Sequence, residues 1–202
     1  MRKFFLLILL LLNLESFSSY LLIPMDNSQT NHLKSYGIAF LSIENEVKVD
    51  WLLNYKGGSF LIKHYPEIEK ECIVRGVSYQ IIADAQSTEI LRSISSPSVN
   101  QDVVRLEKIP KIAIYSPKNK QPWDDAVTMA LTYAEIPYDI IYDEEVLSGV
   151  LPLYDWLHLH HEDFTGQYGK FYATFKNATW YKEQKILYEQ LALKLGFNKV
   201  SK

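Results

Sequence analysis

The sequence predicts an α/β protein built on a parallel, doubly wound sheet. Strand-like runs alternate with helix-like runs, for example "KIAIYSP" (111–117), "PWDDAVTMALTYAEI" (122–136) and "YDIIYD" (138–143). The helix-like runs span about 8 to 15 residues, a length that suits right-handed crossovers between parallel strands. Polar clusters follow the strand-like runs, where sheets of this kind form their ligand crevice. We therefore expect a flavodoxin-like arrangement of strands.

The chain of 202 residues is predicted to have three parts. Residues 1–18 form a signal peptide, residues 20–100 a smaller α/β segment, and residues 105–202 a flavodoxin-like α/β domain. The stretch "SSPSVNQDV" looks like a linker, because Ser, Pro and Asn cluster there without periodicity. The last domain is predicted to be incomplete, since such sheets usually need about five strands and the chain ends soon after an amphipathic helix at 179–197.

The N-terminus predicts export. A basic start, "MRK", is followed by nine apolar residues, Phe4–Leu12, and then by the small residues of "SFS". This order is typical of a signal peptide, and we expect cleavage after Ser18 or Ser19. The apolar run is too short to cross a bilayer as a mature helix, so no stable membrane span is expected after cleavage. An uncleaved N-terminal anchor is the alternative. The predicted compartment is periplasmic or extracellular.

Composition excludes some classes of partner. Apolar residues make up 48% of the chain, enough for a buried core, and the formal net charge is −3. No cluster of Lys and Arg stands out, so nucleic acid is not expected as a partner. Cys72 is the only cysteine and is predicted to be a buried small hydrophobe, so the chain has no internal disulfide.

The stretch "LHLHHEDFTGQYGKF" (157–171) is the main candidate for chemistry, because it holds three of the five histidines. Side chains alternate along a strand, so His158, His160 and Glu162 are expected on one face, where they match a metal-ligand set. A divalent transition metal is the cofactor that this alternative requires. In a second interpretation a histidine acts as general base beside a carboxylate. A third is purely structural, with the polar residues capping a loop. The candidate catalytic residues are His160, His161, Glu162 and Asp163.

Two other polar segments are predicted to join this site. "PMDNSQTNH" (24–32) lies between a strand and a helix, where amide groups can hold an anionic or hydroxylated ligand. A second segment follows the strand at 111–117. Since strand ends of a parallel sheet meet at one edge, we expect these segments to converge on the histidine stretch. The predicted ligand-binding residues are Asp26, Asn27, Gln29, His32, Trp123 and Asp124.

Several stretches together carry a resemblance to a known family. They are "IPMDNSQTNHLKSYG", "DWLLNYKGGSF", "QPWDDAVTMALTYAEIPYDIIYDEEVL" and "YDWLHLHHEDFTGQYGKF". On these the chain resembles a family of exported bacterial proteins commonly labelled asparagine synthetase B. The resemblance covers nearly all of the chain after the signal peptide. It implies a class I glutamine amidotransferase-like fold, and a longer protein whose further part carries the nucleophile.

The resemblance does not imply asparagine synthesis. That reaction needs a cysteine directly after the initiator methionine, and residue 2 here is Arg. It also needs a Ser-Gly-Gly-x-Asp-Ser loop for ATP, which the sequence lacks. We therefore expect an exported protein that binds a small polar ligand at the carboxyl ends of its strands. The alternatives are a metal-assisted hydrolase that uses His158, His160 and Glu162, and a non-catalytic envelope interaction protein. Whether the chain turns over a substrate stays open at this point.

Overall fold

The structure, a computed structural model, describes residues 19–117, 125–159 and 167–197. The chain divides into two compact units. One comprises Met1–Ile109 and Thr132–Ile136, and the other comprises Pro110–Leu131 and Pro137–Lys202. The predicted signal peptide lies outside the described residues. Each unit has its own sheet.

The first unit is built on a five-stranded sheet with the order β4-β1-β3-β2-β5. Every pair of neighbouring strands in this sheet is antiparallel. Its strands are β1 (Ser19–Ile23), β2 (Val49–Leu53), β3 (Ser59–Lys63), β4 (Gln80–Ala83) and β5 (Asp102–Leu106). Its helices are α1 (His32–Glu44), α2 (Pro66–Val74) and α3 (Asp84–Ile94).

Helices cover both faces of this sheet, which explains why β1 is apolar at successive positions. Leu21 and Ile23 pack in one buried cluster with residues of α1 and α2. Leu22, between them, points to the other face and packs with Ile90 and Ile94 of α3. Side chains on both faces of β1 are thus removed from water, which is the main source of stability in this unit.

The turn between β2 and β3 is a hairpin turn, as the Gly57-Gly58 pair predicts. Both glycines have positive φ, +80° and +96°, a region that favours glycine. The turn also contacts the chain after β1, because the Met25 amide donates to the Lys56 carbonyl at 2.9 Å. A Cβ atom on Gly57 would lie 2.4 Å from the Met25 carbonyl oxygen. The turn and the end of β1 are therefore locked together.

The second sheet has three parallel strands in the order β7-β6-β8. Its strands are β6 (Ile112–Tyr115), β7 (Asp139–Ile141) and β8 (Trp156–Leu159). The remaining helices are α4 (Ala126–Ala134), α5 (Asp143–Leu147), α6 (Gln167–Phe175) and α7 (Thr179–Lys194), with a 3₁₀ turn at Leu151–Leu153. The central strand β6 is the best buried of the three, since Ile112, Ala113 and Ile114 are at most 3% exposed.

The predicted fold class is therefore wrong. The chain is not built on a single parallel, doubly wound, flavodoxin-like or amidotransferase-like sheet. Its larger sheet is antiparallel and lies mainly in the part predicted to be the smaller segment, and among the described residues three strands pair in parallel. The error has a physical cause. Strands that are separated by helices were assumed to pair in parallel, but β1 pairs with the distant strands β3 and β4, which run in the opposite direction.

Within the described parts of the chain, no helix is long and apolar enough to cross a membrane.

We expect Gly57→Ala to destabilise the first unit more than Gly76→Ala. Both glycines have positive φ, so alanine at either position costs about 1–2 kcal/mol from the backbone alone. A Cβ at Gly76 meets nothing within 4 Å, whereas a Cβ at Gly57 meets the Met25 carbonyl. The clash adds about 1–3 kcal/mol for Gly57→Ala. Urea unfolding of the two variants measures the difference, and equal losses of free energy would contradict the described turn.

Candidate ligand-binding edge of the parallel sheet

The carboxyl ends of the three parallel strands lie at one edge of the second sheet. β6 ends at Tyr115, β7 at Ile141 and β8 at Leu159. The chain runs from β6 to β7 on one side and then crosses to β8 on the other side of β6. The carboxyl edge of the strands is where open α/β sheets bind their ligands, so we take this edge as the candidate site.

Asp125 sits at this edge and begins helix α4. Its Oδ1 accepts hydrogen bonds from the Thr128 amide at 2.8 Å and from the Thr128 hydroxyl at 3.1 Å. This is the N-cap arrangement, in which a side-chain oxygen satisfies an amide that has no partner within the helix. Asp125 and Thr128 are 9% and 3% exposed. Oδ1 of Asp125 therefore caps the helix.

The second oxygen of Asp125 holds His158. The distance from Asp125 Oδ2 to His158 Nε2 is 3.0 Å, and the two side chains are 11% and 20% exposed. A carboxylate can only accept, so in the neutral ring Nε2 carries the proton and Nδ1 has a lone pair. This assignment follows from the hydrogen bond. Among the described residues, Nδ1 takes part in no hydrogen bond.

Register and alternation place His158 on the same face of the sheet as Ile114 and Ser116. His158 lies opposite Ile114 on the neighbouring strand β6. Opposite residues of parallel strands share a face, and so does the residue two positions further along. Ser116 therefore shares this face, and it is fully buried just beyond the end of β6. Its amide donates to the Ile141 carbonyl at 3.0 Å, which joins the ends of β6 and β7.

Three tyrosines pack at the carboxyl ends of the strands, on the face of the sheet opposite to His158. The Tyr115 hydroxyl donates to Asp143 at the start of α5. The rings of Tyr115 and Tyr142 are 5.2 Å apart, and the Tyr142 hydroxyl bonds that of Tyr188 on α7. Burial, followed by the bond to Tyr188, raises the pKa of Tyr142. The Tyr142 phenol therefore stays neutral, and the carboxylate of Asp143 is the charged partner in this group of contacts.

In the first unit, Gln29 holds the predicted 24–32 segment in place. Its Nε2 donates to the carbonyls of Pro24 and Ser78 at 2.8 and 3.1 Å. Its Oε1 accepts from the amides of Ser78 and Asn31 at 2.8 and 3.2 Å. All four hydrogen-bonding positions of this amide are thus used, and the side chain is only 6% exposed. Gln29 fixes the turn that leads into α1.

The other predicted residues of this segment differ in how firmly they are held. Asp26 accepts from the Ser28 hydroxyl and amide, and these bonds lower the pKa of Asp26. Exposed His32 has its Nε2 3.2 Å from the Met25 carbonyl. Asn27 is exposed. These three side chains reach solvent, and their predicted role in ligand binding stays a prediction.

The predicted convergence on the histidine stretch also stays a prediction. Residues 26–32 belong to the first unit and His158 to the second. Within the part of the chain that the structure describes, no group of three or more His, Cys, Asp and Glu side chains could hold a metal ion. The metal set of His158, His160 and Glu162 is not tested by this, because its last two members are not described. The predicted residues outside the described ranges are Trp123, Asp124, His160, His161, Glu162 and Asp163.

Asp125 is absent from the predicted set of ligand-binding residues. That set includes its neighbour Asp124, which lies outside the described residues, whereas the structure shows Asp125 bonded to His158. A signal was present, since an Asp directly before an apolar helical run is typical of an N-cap. Asp143, which pairs with Tyr115, was also left out.

No protein-family model, curated protein or solved structure matches this chain. The resemblance to the asparagine synthetase B-labelled family therefore stays a prediction that rests on its quoted motifs.

We expect Gln29→Ala to destabilise the first unit, and Asn27→Ala to leave its stability nearly unchanged. The first change leaves the buried carbonyl of Pro24 and the partly buried backbone groups of Ser78 without the Gln29 partner, at a cost of about 1–3 kcal/mol. Asn27 is exposed, so its truncation is expected to stay within about 0.5 kcal/mol. Urea unfolding checks both variants. If Gln29→Ala unfolds at the wild-type urea concentration, Gln29 does not hold the turn.

Proposed function

We propose that this chain is an exported protein that binds a small, neutral, polar ligand at the carboxyl edge of its parallel sheet. The observation that carries the proposal is the hydrogen bond of 3.0 Å between His158 of β8 and Asp125 at the start of α4. Asp125 is fixed by the helix that it caps, so the imidazole is held in one orientation. A preorganised acceptor of this kind favours binding because little ordering is left for the ligand to impose.

The charges at this edge favour a neutral ligand over an anionic one. Asp125 and Asp143 contribute two carboxylates, on the two faces of the same edge. Nδ1 of His158 can accept a hydrogen bond from a hydroxyl or an amide N–H. A neutral sugar or a peptide segment without a free C-terminal carboxylate offers such donors without a negative charge that the carboxylates would repel. These are the ligand classes that we propose.

The proposal does not include an amidotransferase reaction. The only cysteine, Cys72, is fully buried, and burial raises its pKa to about 12. The thiol is therefore protonated at neutral pH, and a thiol is a poor nucleophile compared with a thiolate. Cys72 behaves as a small core side chain beside Ile68 in the cluster under α2.

The proposal is tested with a fixed panel of neutral monosaccharides and of dipeptides whose ends are acetylated and amidated. Binding of each compound is followed by ¹H–¹⁵N NMR of the full chain. We expect at least one member to shift amide signals at the ends of β6 and β8. His158→Gln removes the imidazole acceptor and Asp125→Asn removes the charge that orients it, while Asn preserves the helix cap. Each variant is expected to weaken binding about tenfold, the equivalent of one hydrogen bond.

Asp139→Asn is the matched control. Asp139 is the first residue of β7, at the opposite end of the sheet, where its Oδ2 accepts from the Tyr154 hydroxyl at 3.0 Å. The same change of acid to amide there should leave ligand affinity unchanged. Equal loss in Asp139→Asn and Asp125→Asn, or binding that ignores both His158→Gln and Asp125→Asn, would show that the ligand binds elsewhere.

A further inference from the structure

A second polar cluster lies in the first unit, where β1 begins and β3 has just ended. Ser19 and His64 are the next opposite pair after Tyr20 and Lys63 in the antiparallel register. The His64 amide donates to the Ser19 carbonyl at 2.9 Å. The Ser19 hydroxyl oxygen lies 3.0 Å from Nδ1 of the imidazole. Backbone pairing thus holds a hydroxyl against a ring nitrogen.

Glu69 of α2 orients the other side of the same imidazole. Its Oε2 lies 2.6 Å from His64 Nε2, and its Oε1 accepts from the Tyr79 hydroxyl at 2.9 Å. The hydrogen bond from His64, followed by that from Tyr79, lowers the pKa of Glu69. The carboxyl group is therefore ionised at neutral pH and can only accept hydrogen bonds.

These contacts determine the proton positions around His64. Because ionised Glu69 accepts from Nε2, the neutral ring carries its proton on Nε2 and has its lone pair on Nδ1. The Ser19 hydroxyl is then the donor to Nδ1. The His64 and Glu69 side chains are 22% and 26% exposed, so solvent reaches the cluster. A hydroxyl bonded to a base that an acid orients is the arrangement of an activated nucleophile.

We propose that Ser19, His64 and Glu69 form a hydrolytic site for carboxylic esters. Ser19 is the nucleophile, His64 the general base and acid, and Glu69 the positioning residue that sets the tautomer of His64. The base works here through Nδ1 rather than through Nε2, and the geometry allows this because the carboxylate occupies Nε2. This site lies in the first unit and does not depend on the ligand site at the parallel sheet.

The reaction proceeds in two balanced steps. In the first, Ser19 Oγ attacks the ester carbonyl carbon and passes its proton to His64 Nδ1. The tetrahedral intermediate then breaks its bond to the alcohol oxygen, which takes that proton and leaves as the alcohol. In the second step, water gives a proton to Nδ1 and attacks the acyl group. The carboxylic acid is released, and Ser19 Oγ recovers the proton. No oxidant or metal is consumed.

The proposal requires Ser19 in the mature chain. Of the two predicted cleavage points, only the one after Ser18 retains this residue. Ser19 also pairs with Ala83 of β4, so the strand uses Ser19 as a structural residue as well. The nearby thiol of Cys72 does not compete as a nucleophile, because it is fully buried.

The test is covalent labelling of the exported chain with a fluorophosphonate probe, with the adduct located by mass spectrometry. Serine attack on phosphorus releases fluoride and leaves a stable phosphonyl ester on an activated hydroxyl only. We expect the adduct on Ser19, and none on it in Ser19→Ala. Ser28→Ala is the matched control, because the exposed Ser28 hydroxyl bonds a carboxylate instead of a histidine. It should label as the wild type does.

The variant Glu69→Gln tests whether Glu69 orients His64 for the reaction or only stabilises the fold. Loss of the charge that orients His64 is expected to slow the labelling step about 100-fold, the size of a general-base contribution. The concentration of probe at half-maximal rate should stay unchanged, because Glu69 does not touch the probe. Three outcomes would overturn the proposal: no adduct on Ser19, labelling of Ser19 and Ser28 at equal rates, or a mature chain that begins after Ser19.

Discussion

The proposed ligand-binding edge of the second unit depends on a single carboxylate that has two hydrogen-bonding partners. One oxygen of Asp125 caps α4, an interaction worth about 1 kcal/mol in typical helices, and the other oxygen holds His158. The helix start and the histidine on β8 are thereby held in register, although 33 residues separate them in the chain. Any change in where α4 begins would move the imidazole. The position of the proposed ligand acceptor therefore follows from helix capping.

Gln29 and His64 are both polar residues of the first unit, but their side chains have different roles. Gln29 is buried, and its side-chain amide makes four hydrogen bonds to backbone groups. It therefore stabilises a turn. The imidazole of His64 also bonds on both sides, but its partners are a hydroxyl and an ionised carboxylate, and the group is reachable from solvent. The difference between a structural amide and a proposed catalytic histidine thus lies in the partners and the exposure, since both residues are well bonded.

Local signals in the sequence predicted individual helices and turns better than they predicted which strands pair and in which direction. The Gly57-Gly58 pair indicates the hairpin between β2 and β3, and the helix-like run at 122–136 contains α4. The antiparallel sheet was missed, because the partners of β1 are distant in sequence and no local pattern encodes their direction. β5 was missed because it overlaps the predicted linker. In the proposed site, Asp124 and Asp125 are neighbours of the same residue type, so the sequence does not show which carboxylate caps α4. The structure shows that Asp125 does so.

The central claim is that Asp125 holds His158 with Nδ1 available to a ligand, and the ring nitrogens of His158 report on it directly. Long-range ¹H–¹⁵N NMR at a pH where the ring is neutral distinguishes the two tautomers. The account predicts the Nε2-protonated tautomer in the wild-type protein, because the Asp125 carboxylate accepts from Nε2. A ring protonated on Nδ1 would contradict it, since that nitrogen could then accept nothing from a ligand and Asp125 would not orient the imidazole.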